Sequence, residues 1–532
     1  MIGFRRRRIL LVIAAAIGLA TAARAEGIFP VNAPGAGSWV FDQPSLAASG
    51  TVLHVAFVGD NAAGAGASPN TRVYYAAVNG SADFSNKATT REQVLVTAPV
   101  SIDNALFNHA RHPQIVLRSS TELVILFQAI PVGDTSYKLF RALLTVVNHA
   151  VTSQRVDEIR DAAGARIPGE LTDPSSGIVV TDNTLRVAYS SFPSLVAGSP
   201  YSDVYFARVG LDNTRVVGGA ILLTDTVSST GVMPLPRLRL DGNKNSHVVW
   251  AANNSDPTRT TPAAIYYTMV NAASPSAADN VAIGATQVLT GGYRWGFPNV
   301  LLTSNSNVWI LGADEPPSGL STGLAGSVGI SEINPNAVIH DGNPVNVNNV
   351  GTNTKFFLNP PGGSVLSSDF DAYQPEAAFD SLNRLHVAGY GFLFPDGHGT
   401  PGRYYVMSLG ATTSSAGTNS VFASMIASPV SVGTGDVAFA VQLPGDYTRP
   451  AFVHFSGKSV NFWSGQDNVV TGARNLYVTS TFSPSNPSKQ SGCSMVGDPR
   501  RGEPERIPGT AALLLPAAFL ALRRALRKAF GR

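Results

Sequence analysis

Apolar residues in this chain arrive in short runs rich in Val, Tyr, Phe and Leu, each closed off by Gly, Asn, Asp or Ser. Runs of that length and composition predict strands rather than helices. The runs recur as a set. Seven times a residue followed by proline opens one run, a tight polar turn leads to a second, and a loop leads to a Tyr-rich third. The prolines are Pro44, Pro113, Pro174, Pro236, Pro298, Pro375 and Pro450, at steps of 69, 61, 62, 62, 77 and 75 residues. The second run carries an aromatic near its end in five copies, at Phe57, Phe127, Tyr189, Trp250 and Trp463; Leu311 and Gly389 hold the slot in the other two. The third run reads Val73-Tyr74-Tyr75, Leu139-Phe140, Val204-Tyr205-Phe206, Ile265-Tyr266-Tyr267, Tyr404-Tyr405 and Leu476-Tyr477, and is degenerate only around Val328 to Ser331.

A repeat of this length, with several short strands in each copy, predicts an all-β fold, a seven-bladed β-propeller. Each proline is expected at the start of an inner edge strand, where a missing N–H costs nothing. Fourth strands are expected at Gln93–Thr97, Arg155–Ile159, Ala220–Thr224, Thr286–Thr290 and Val421–Ile426. The seventh copy has little chain left for one, so Ile28–Phe41 is expected to supply it and close the ring. Hydrophobic residues at 44% and charged residues at 14%, with 51 Gly and 35 Pro, suit buried sheet joined by many turns.

The ends read differently. Arg5 to Arg8, the apolar stretch Ile9 to Ala20 and Ala23-Arg24-Ala25 form a secretory signal, with cleavage by signal peptidase after Ala25. Near the other end Gly492-Cys493-Ser494-Met495 precedes a polar spacer, an apolar stretch Ile507 to Leu522 and a basic terminus. The expected organisation is therefore 1–25 signal peptide, 26–482 propeller, 483–506 linker with Cys493, and 507–532 hydrophobic sorting helix and basic tail. The basic end holds to the cytoplasmic side of a membrane. The layout resembles bacterial C-terminal sorting tails, and Gly492 to Met495 with Asp498-Pro499 is most similar to the JDVT-CTERM class. That resemblance implies removal of the tail by an intramembrane sorting protease, after transient inner-membrane anchoring, and delivery to the cell envelope, the outer surface or the medium. Cys493, the only cysteine, rules out an intramolecular disulfide and is expected to serve processing or anchoring, by lipid in particular.

Charge changes once the ends are set aside. The whole chain is +3, but residues 26–492 hold 25 basic and 32 acidic residues, a net −7. No nucleic-acid partner is expected, and no cofactor or bound metal. His109 and His112 are too few for a metal site without ligands from elsewhere, and His54, His247 and His386, in one slot of separate copies, are expected at half-exposed strand positions. Asp241 to Asn245 reads as a hairpin turn.

Long loops between second and third runs share a face with the segments entering each proline, and that face is expected to carry function. Residues there that would ring the channel mouth include Gln43, Arg111, His112, Asp173, Arg294, Trp295, Asp369, Asp371, Tyr373, Gln374 and Arg449, with Glu376 just beyond. Arginine among acids and tyrosines suits a carboxylated sugar; the plainer account is polar lining of a wet channel. Ser246-His247-Val248-Val249-Trp250 and Leu385-His386-Val387-Ala388 resemble the repeats of sialidase-like (BNR-type) propellers across roughly residues 40 to 480. The Asp-box turn of that family is absent from every copy, as is its Arg-Ile-Pro motif, so the resemblance implies the fold and not the catalysis. The reading is an exported binding or adhesion module for a glycan or a surface protein. The alternative is a carbohydrate-active enzyme, a glycoside hydrolase or lyase, with Glu376 and Asp369 as acids by position.

Overall fold

The computed structural model describes residues 29–30, 40–60, 71–82, 94–102, 107–179, 182–192, 202–224, 234–252, 264–271, 280–289, 294–302, 308–315, 328–333, 370–379, 385–393, 403–412, 421–425, 430–431, 451–455, 458–465 and 475–481. The stretches expected as signal, linker and sorting segment (1–25 and 483–532) lie outside them, and among the described residues no helix is long and apolar enough to cross a membrane. What is described is all-β: seven antiparallel sheets, one per repeat, most of them four-stranded.

In the first sheet Val40–Ser49, Val52–Asp60, Thr71–Asn79 and Val100–Ser101 lie side by side in chain order. The second, third and fourth sheets repeat this with first strands Phe107–Leu117, Glu170–Val179 and Arg237–Leu240. The fifth has three described strands from Arg294–Leu302, including Val328–Ile333, so the copy that looks degenerate in sequence still forms its third strand. The sixth starts at Phe370–Phe379. The seventh runs Ala451–Phe455, Lys458–Gly465, Asn475–Thr481, and its fourth member is Phe29–Pro30, with Phe29 opposite Val478. Among the described residues of the segment expected to close this sheet, Phe29–Pro30 pair there, while Val40 and Phe41 belong to the first strand of the first sheet. The first sheet's outer strand is Val100–Ser101, not Gln93–Thr97, from which Leu95 makes a single bridge to Val78.

First strands of consecutive sheets pack on one another, and Ala451–Phe455 returns to Val40–Ser49. Apolar cores lie between neighbours. Leu53, Val55 and Phe57 of the first sheet, for example, share a core with Val460, Phe462 and Val478 of the seventh. Gly80 sits against the Phe455 ring at that same junction, leaving no room for a Cβ.

The aromatic slot explains why each sheet holds its register. Phe57, Phe127, Tyr189 and Trp250 lie directly opposite Tyr74, Phe140, Tyr205 and Tyr266, with stacked rings 5.7, 5.9, 5.7 and 5.9 Å apart. Cross-strand aromatic pairs add roughly 0.5–1.5 kcal/mol each beyond the area they bury, and a slip of one residue would turn them to the other face.

The prolines stand elsewhere than expected. In five sheets the first strand starts several residues earlier and the X-Pro pair forms a β-bulge, between Asp42 and Ser45, Arg111 and Gln114, Thr172 and Ser175, Gly296 and Asn299, and Tyr373 and Glu376. A bulge is where a strand tolerates a residue without an N–H. The residue before proline turns left-handed: Gln43, His112, Asp173 and Leu235 have φ of 52°, 51°, 52° and 47°. That is uncommon for non-glycine residues. The bulge also releases backbone N–H groups from the ladder, and the neighbouring sheet takes them up. His112 N donates to Gln43 Oε1 at 2.7 Å and Asp173 N to Gln128 Oε1 at 3.2 Å. Beyond the prolines two regularly paired first-strand residues also bond across to the neighbouring sheet: Ile115 N donates to Ser45 Oγ at 3.0 Å and Leu238 N to Ser175 Oγ at 2.9 Å.

Candidate functional site

Because the first strands of successive sheets face one another, the residues around Pro44, Pro113, Pro174 and Pro236, with Glu376, Ala451 and Phe452, line a cavity of about 120 Å³. Its charged and polar wall includes Gln43, His112, Asp173, Arg237, Arg239 and Glu376. One side of it is a hydrogen-bonded group from the second and third sheets. His112 Nδ1 lies 3.2 Å from Asp173 Oδ1 and 2.7 Å from Gln128 Nε2, with the His112 and Asp173 side chains 12% and 8% exposed. Gln128 itself, one residue past the aromatic slot of the second strand, is fully buried.

The other group comes from residues that directly follow prolines. Glu376 Oε1 lies 3.4 Å from an Arg237 nitrogen, and Glu376 Oε2 accepts from Asn299 Nδ2 at 2.9 Å. Arg237 belongs to the fourth sheet and Glu376 to the sixth, so this pair reaches past the fifth sheet, whose Asn299 completes it. Burial pushes the Arg237 guanidinium below its ordinary value, against the raising effect of Glu376; a guanidinium stays charged through such a shift. The cavity thus holds two carboxylates, two guanidinium groups and an imidazole, groups of the kinds that proton transfer and the stabilisation of charge draw on.

The predicted residues divide. His112 and Glu376 line the cavity. Arg111 does not: its guanidinium lies 3.9 Å from the centre of the Tyr137 ring, a cation–π contact. His109 is taken up by Thr71 Oγ1 and the edge of Tyr137, which accounts for it without a metal. Among the described residues no group of three or more acid, His or Cys side chains could hold an ion. Arg294 and Trp295 pair with Glu315 and Asp314, and Asp371 and Tyr373 with Phe392 and Tyr390, as strand residues whose side chains lie outside the description. Asp369, Arg449, Ala25 and Cys493 lie outside the described residues. Arg237, Asn299 and Gln128 were missed. The signal for the first two was the position after each proline; a buried Gln in an otherwise apolar second strand was the signal for the third.

His54 and His247 correct another expectation. They are not half-exposed but 1% exposed each, hydrogen-bonded through Nδ1 to Tyr75 and Tyr267 at 2.8 Å. The tyrosine sits on the third strand, two residues from the one opposite each histidine (Ala77 and Met269) and so on the same face, and the pair is buried. The Asp241 turn is confirmed as a turn, with Asn245 N donating to Asp241 Oδ1 at 2.8 Å.

No family model matches the chain, and no curated protein matches it. Solved structures do. A polysaccharide lyase of family PL25, an ulvan lyase bound to a glucuronate–sulfated rhamnose unit, is 8% identical, with 84% of this chain and 94% of that one covered and a TM-score of 0.45. A Hadza microbial sialidase is 11% identical, over 79% and 75%, at 0.38. An endo-arabinase from Bacteroides thetaiotaomicron is 10% identical, over 73% and 98%, at 0.33. Neighbours of this kind are propeller-fold proteins, most of them carbohydrate-active enzymes, and at these scores the likeness assigns no activity.

Proposed function

We propose that the chain is a seven-bladed propeller, closed by its N-terminal strand, that works as a carbohydrate-active enzyme with its site in the axial cavity. The observation that carries this reading is the convergence of His112, Asp173, Arg237 and Glu376 on one cavity wall. A binding module needs only polar and aromatic surface; an imidazole backed by a carboxylate, beside a second carboxylate held by a cation, supplies in addition the groups that acid–base chemistry uses. Imidazole is the side chain that titrates nearest neutrality, so His112 is the proton-transfer group, and Glu376, anchored by Arg237 and Asn299, is the fixed negative charge facing the substrate. Hydrolysis and elimination both draw on such a set.

The test is turnover by the purified chain on a panel of neutral and acidic polysaccharides, read as new reducing ends and as unsaturated product. Cleavage lost in both His112→Ala and Glu376→Gln supports the reading. Specific binding of intact glycan with no cleavage replaces it with the adhesion module, and binding to neither moves the search to protein ligands.

Export completes the proposal. Cleavage after Ala25, transient membrane retention by residues 507–532 and anchoring or processing at Cys493 rest on the sequence of the two ends. Mass spectrometry of the chain recovered from the cell envelope and medium tests them. An intact N-terminus would exclude cleavage after Ala25, an intact C-terminus would exclude removal of the tail, and an unmodified Cys493 would exclude its lipid anchoring.

A further inference from the structure

The hydrogen bonds around His112 fix more than its position. Asp173 N sits at the bulge, outside the ladder between Thr172 and Ser175, and points to Gln128 Oε1 at 3.2 Å. That backbone group can only donate, so the side-chain amide of Gln128 has one allowed orientation, oxygen to Asp173 and nitrogen to the imidazole. Gln128 Nε2 lies 2.7 Å from His112 Nδ1 and can only donate. In the neutral ring Nδ1 must therefore be the acceptor and the proton must sit on Nε2. Asp173 Oδ1, 3.2 Å from the same Nδ1, also only accepts; it gains a hydrogen bond there only when Nδ1 carries a proton, in the imidazolium. Two neighbours compete for one nitrogen, and each favours a different state of the ring.

We infer that Gln128 is a positioning residue that holds neutral His112 as the Nε2–H tautomer, so that the neutral ring offers a ligand in the cavity a hydrogen-bond donor rather than a lone pair, while Asp173 takes over Nδ1 when the ring is protonated. The tautomer follows from the local hydrogen bonds alone; its role in catalysis rests on the active-site reading above. If that reading holds, it is the imidazolium that serves as general acid: Nε2 gives its proton to the departing oxygen, the ring keeps the Nδ1 proton against Asp173, and Nε2 takes a proton back from the water whose hydroxide adds to the substrate.

The experiment is a long-range proton–nitrogen NMR spectrum of the full-length chain labelled with nitrogen-15 histidine, above the pH at which the imidazole titrates. His112 is assigned by loss of its signals in His112→Gln. The expected pattern has an unprotonated Nδ1 and a protonated Nε2 in the wild type. Gln128→Glu, whose carboxylate accepts instead of donating, should reverse it. A wild-type ring protonated on Nδ1 overturns the inference without any variant, as does a folded Gln128→Glu protein with an unchanged tautomer. In turnover, Gln128→Glu should cost roughly tenfold or more and displace the pH profile, whereas a residue that only supports packing would lower rate and stability together and leave the profile in place. Loss of the active-site reading shows separately, as turnover indifferent to His112→Ala with the tautomer still as assigned.

Discussion

His247 and His112 are both largely shielded from water and both hold Nδ1 in a hydrogen bond, but their neighbours ask different things of them. His247 has Tyr267 on Nδ1 at 2.8 Å and Asp241 Oδ2 3.4 Å from Nε2. No hydrogen bond closes between Nε2 and Asp241, but the carboxylate's charge at that distance favours a proton on Nε2, which leaves Nδ1 to accept from the phenol; the demands agree. Burial would raise Asp241, yet the approach of His247 and the Asn245 hydrogen bonds outweigh it and hold the carboxyl below its ordinary range. Burial pushes the Tyr267 hydroxyl well up, so it remains a donor. Around His112 the demands conflict, since Gln128 and Asp173 seek the same nitrogen. Agreement is what a structural histidine shows, and a ring poised between two states is what proton transfer uses.

The largest way to break this contrast is kinetic. His112→Ala should lower turnover by roughly 10²–10⁴, the usual worth of a positioned proton-transfer group, while His247→Ala should leave turnover per folded molecule within a few-fold. Initial rates corrected for folded protein by circular dichroism decide it. Equal losses in the two variants would erase the distinction.

The next effect is on stability against pH, and concerns His54. Burial, with a smaller push from His149, lowers its pKa to about 4, so the unfolded chain binds a proton from about 6.5 downward that the folded chain refuses until about 4. Stability from this group is present above pH 6.5 and is lost as pH falls through that window, by about 3 kcal/mol at an order-of-magnitude level. Urea midpoints at pH 7 and pH 4.5 should converge for His54→Gln relative to the wild type; an unchanged difference would place the acid sensitivity elsewhere. His247→Ala follows, at about 2 kcal/mol at pH 7, for the loss of a buried hydrogen bond and the neighbour of Asp241. His112→Ala should cost less, since its ring stands at a cavity already open to water.

Much of this was legible in the chain because it is written in periodic terms. The aromatic slot from Phe57 to Trp250 repeats at nearly constant distance from each proline, and cross-strand stacking enforces that constancy, so sheet count and register could be read off. What could not be read is where the pairing starts. Pro44 and Pro113 look like strand openings, and only the ladder, with Asp42 opposite Val58 and Ser45 opposite Ala56, reveals a bulge that carries the strand back to Val40. The site is affected only in part. Gln43, His112 and Asp173 before their prolines, and Glu376 after its own, were expected at the mouth and line the cavity, but Arg237 and Asn299, which also follow prolines, were not, and the Arg237–Glu376 pair joins residues 139 apart in the chain. Local spacing carries no trace of such a contact. The slot of His54 and His247 was seen correctly and its burial misjudged, because alternation marks one face of a strand as polar only where that face meets water, and in a ring of packed sheets both faces of a second strand are covered.

The smallest prediction separates the two causes that act on His54. Its ring is paired through Nδ1 to Tyr75, and among the described residues its buried Nε2 has no hydrogen-bond partner. Tyr75→Phe removes the hydroxyl and keeps the packing, so the fold should lose about 1 kcal/mol at pH 7, the net worth of one buried hydrogen bond. Burial, not the hydroxyl, is the main reason the imidazolium is refused, and the ring stays buried in the variant. The loss of stability between pH 6.5 and 4 should therefore persist in Tyr75→Phe at nearly its wild-type size. If urea midpoints show the pH dependence gone with the hydroxyl, the hydrogen bond and not desolvation sets the pKa. His54 would then belong with His112, as a ring whose state is chosen by its partners.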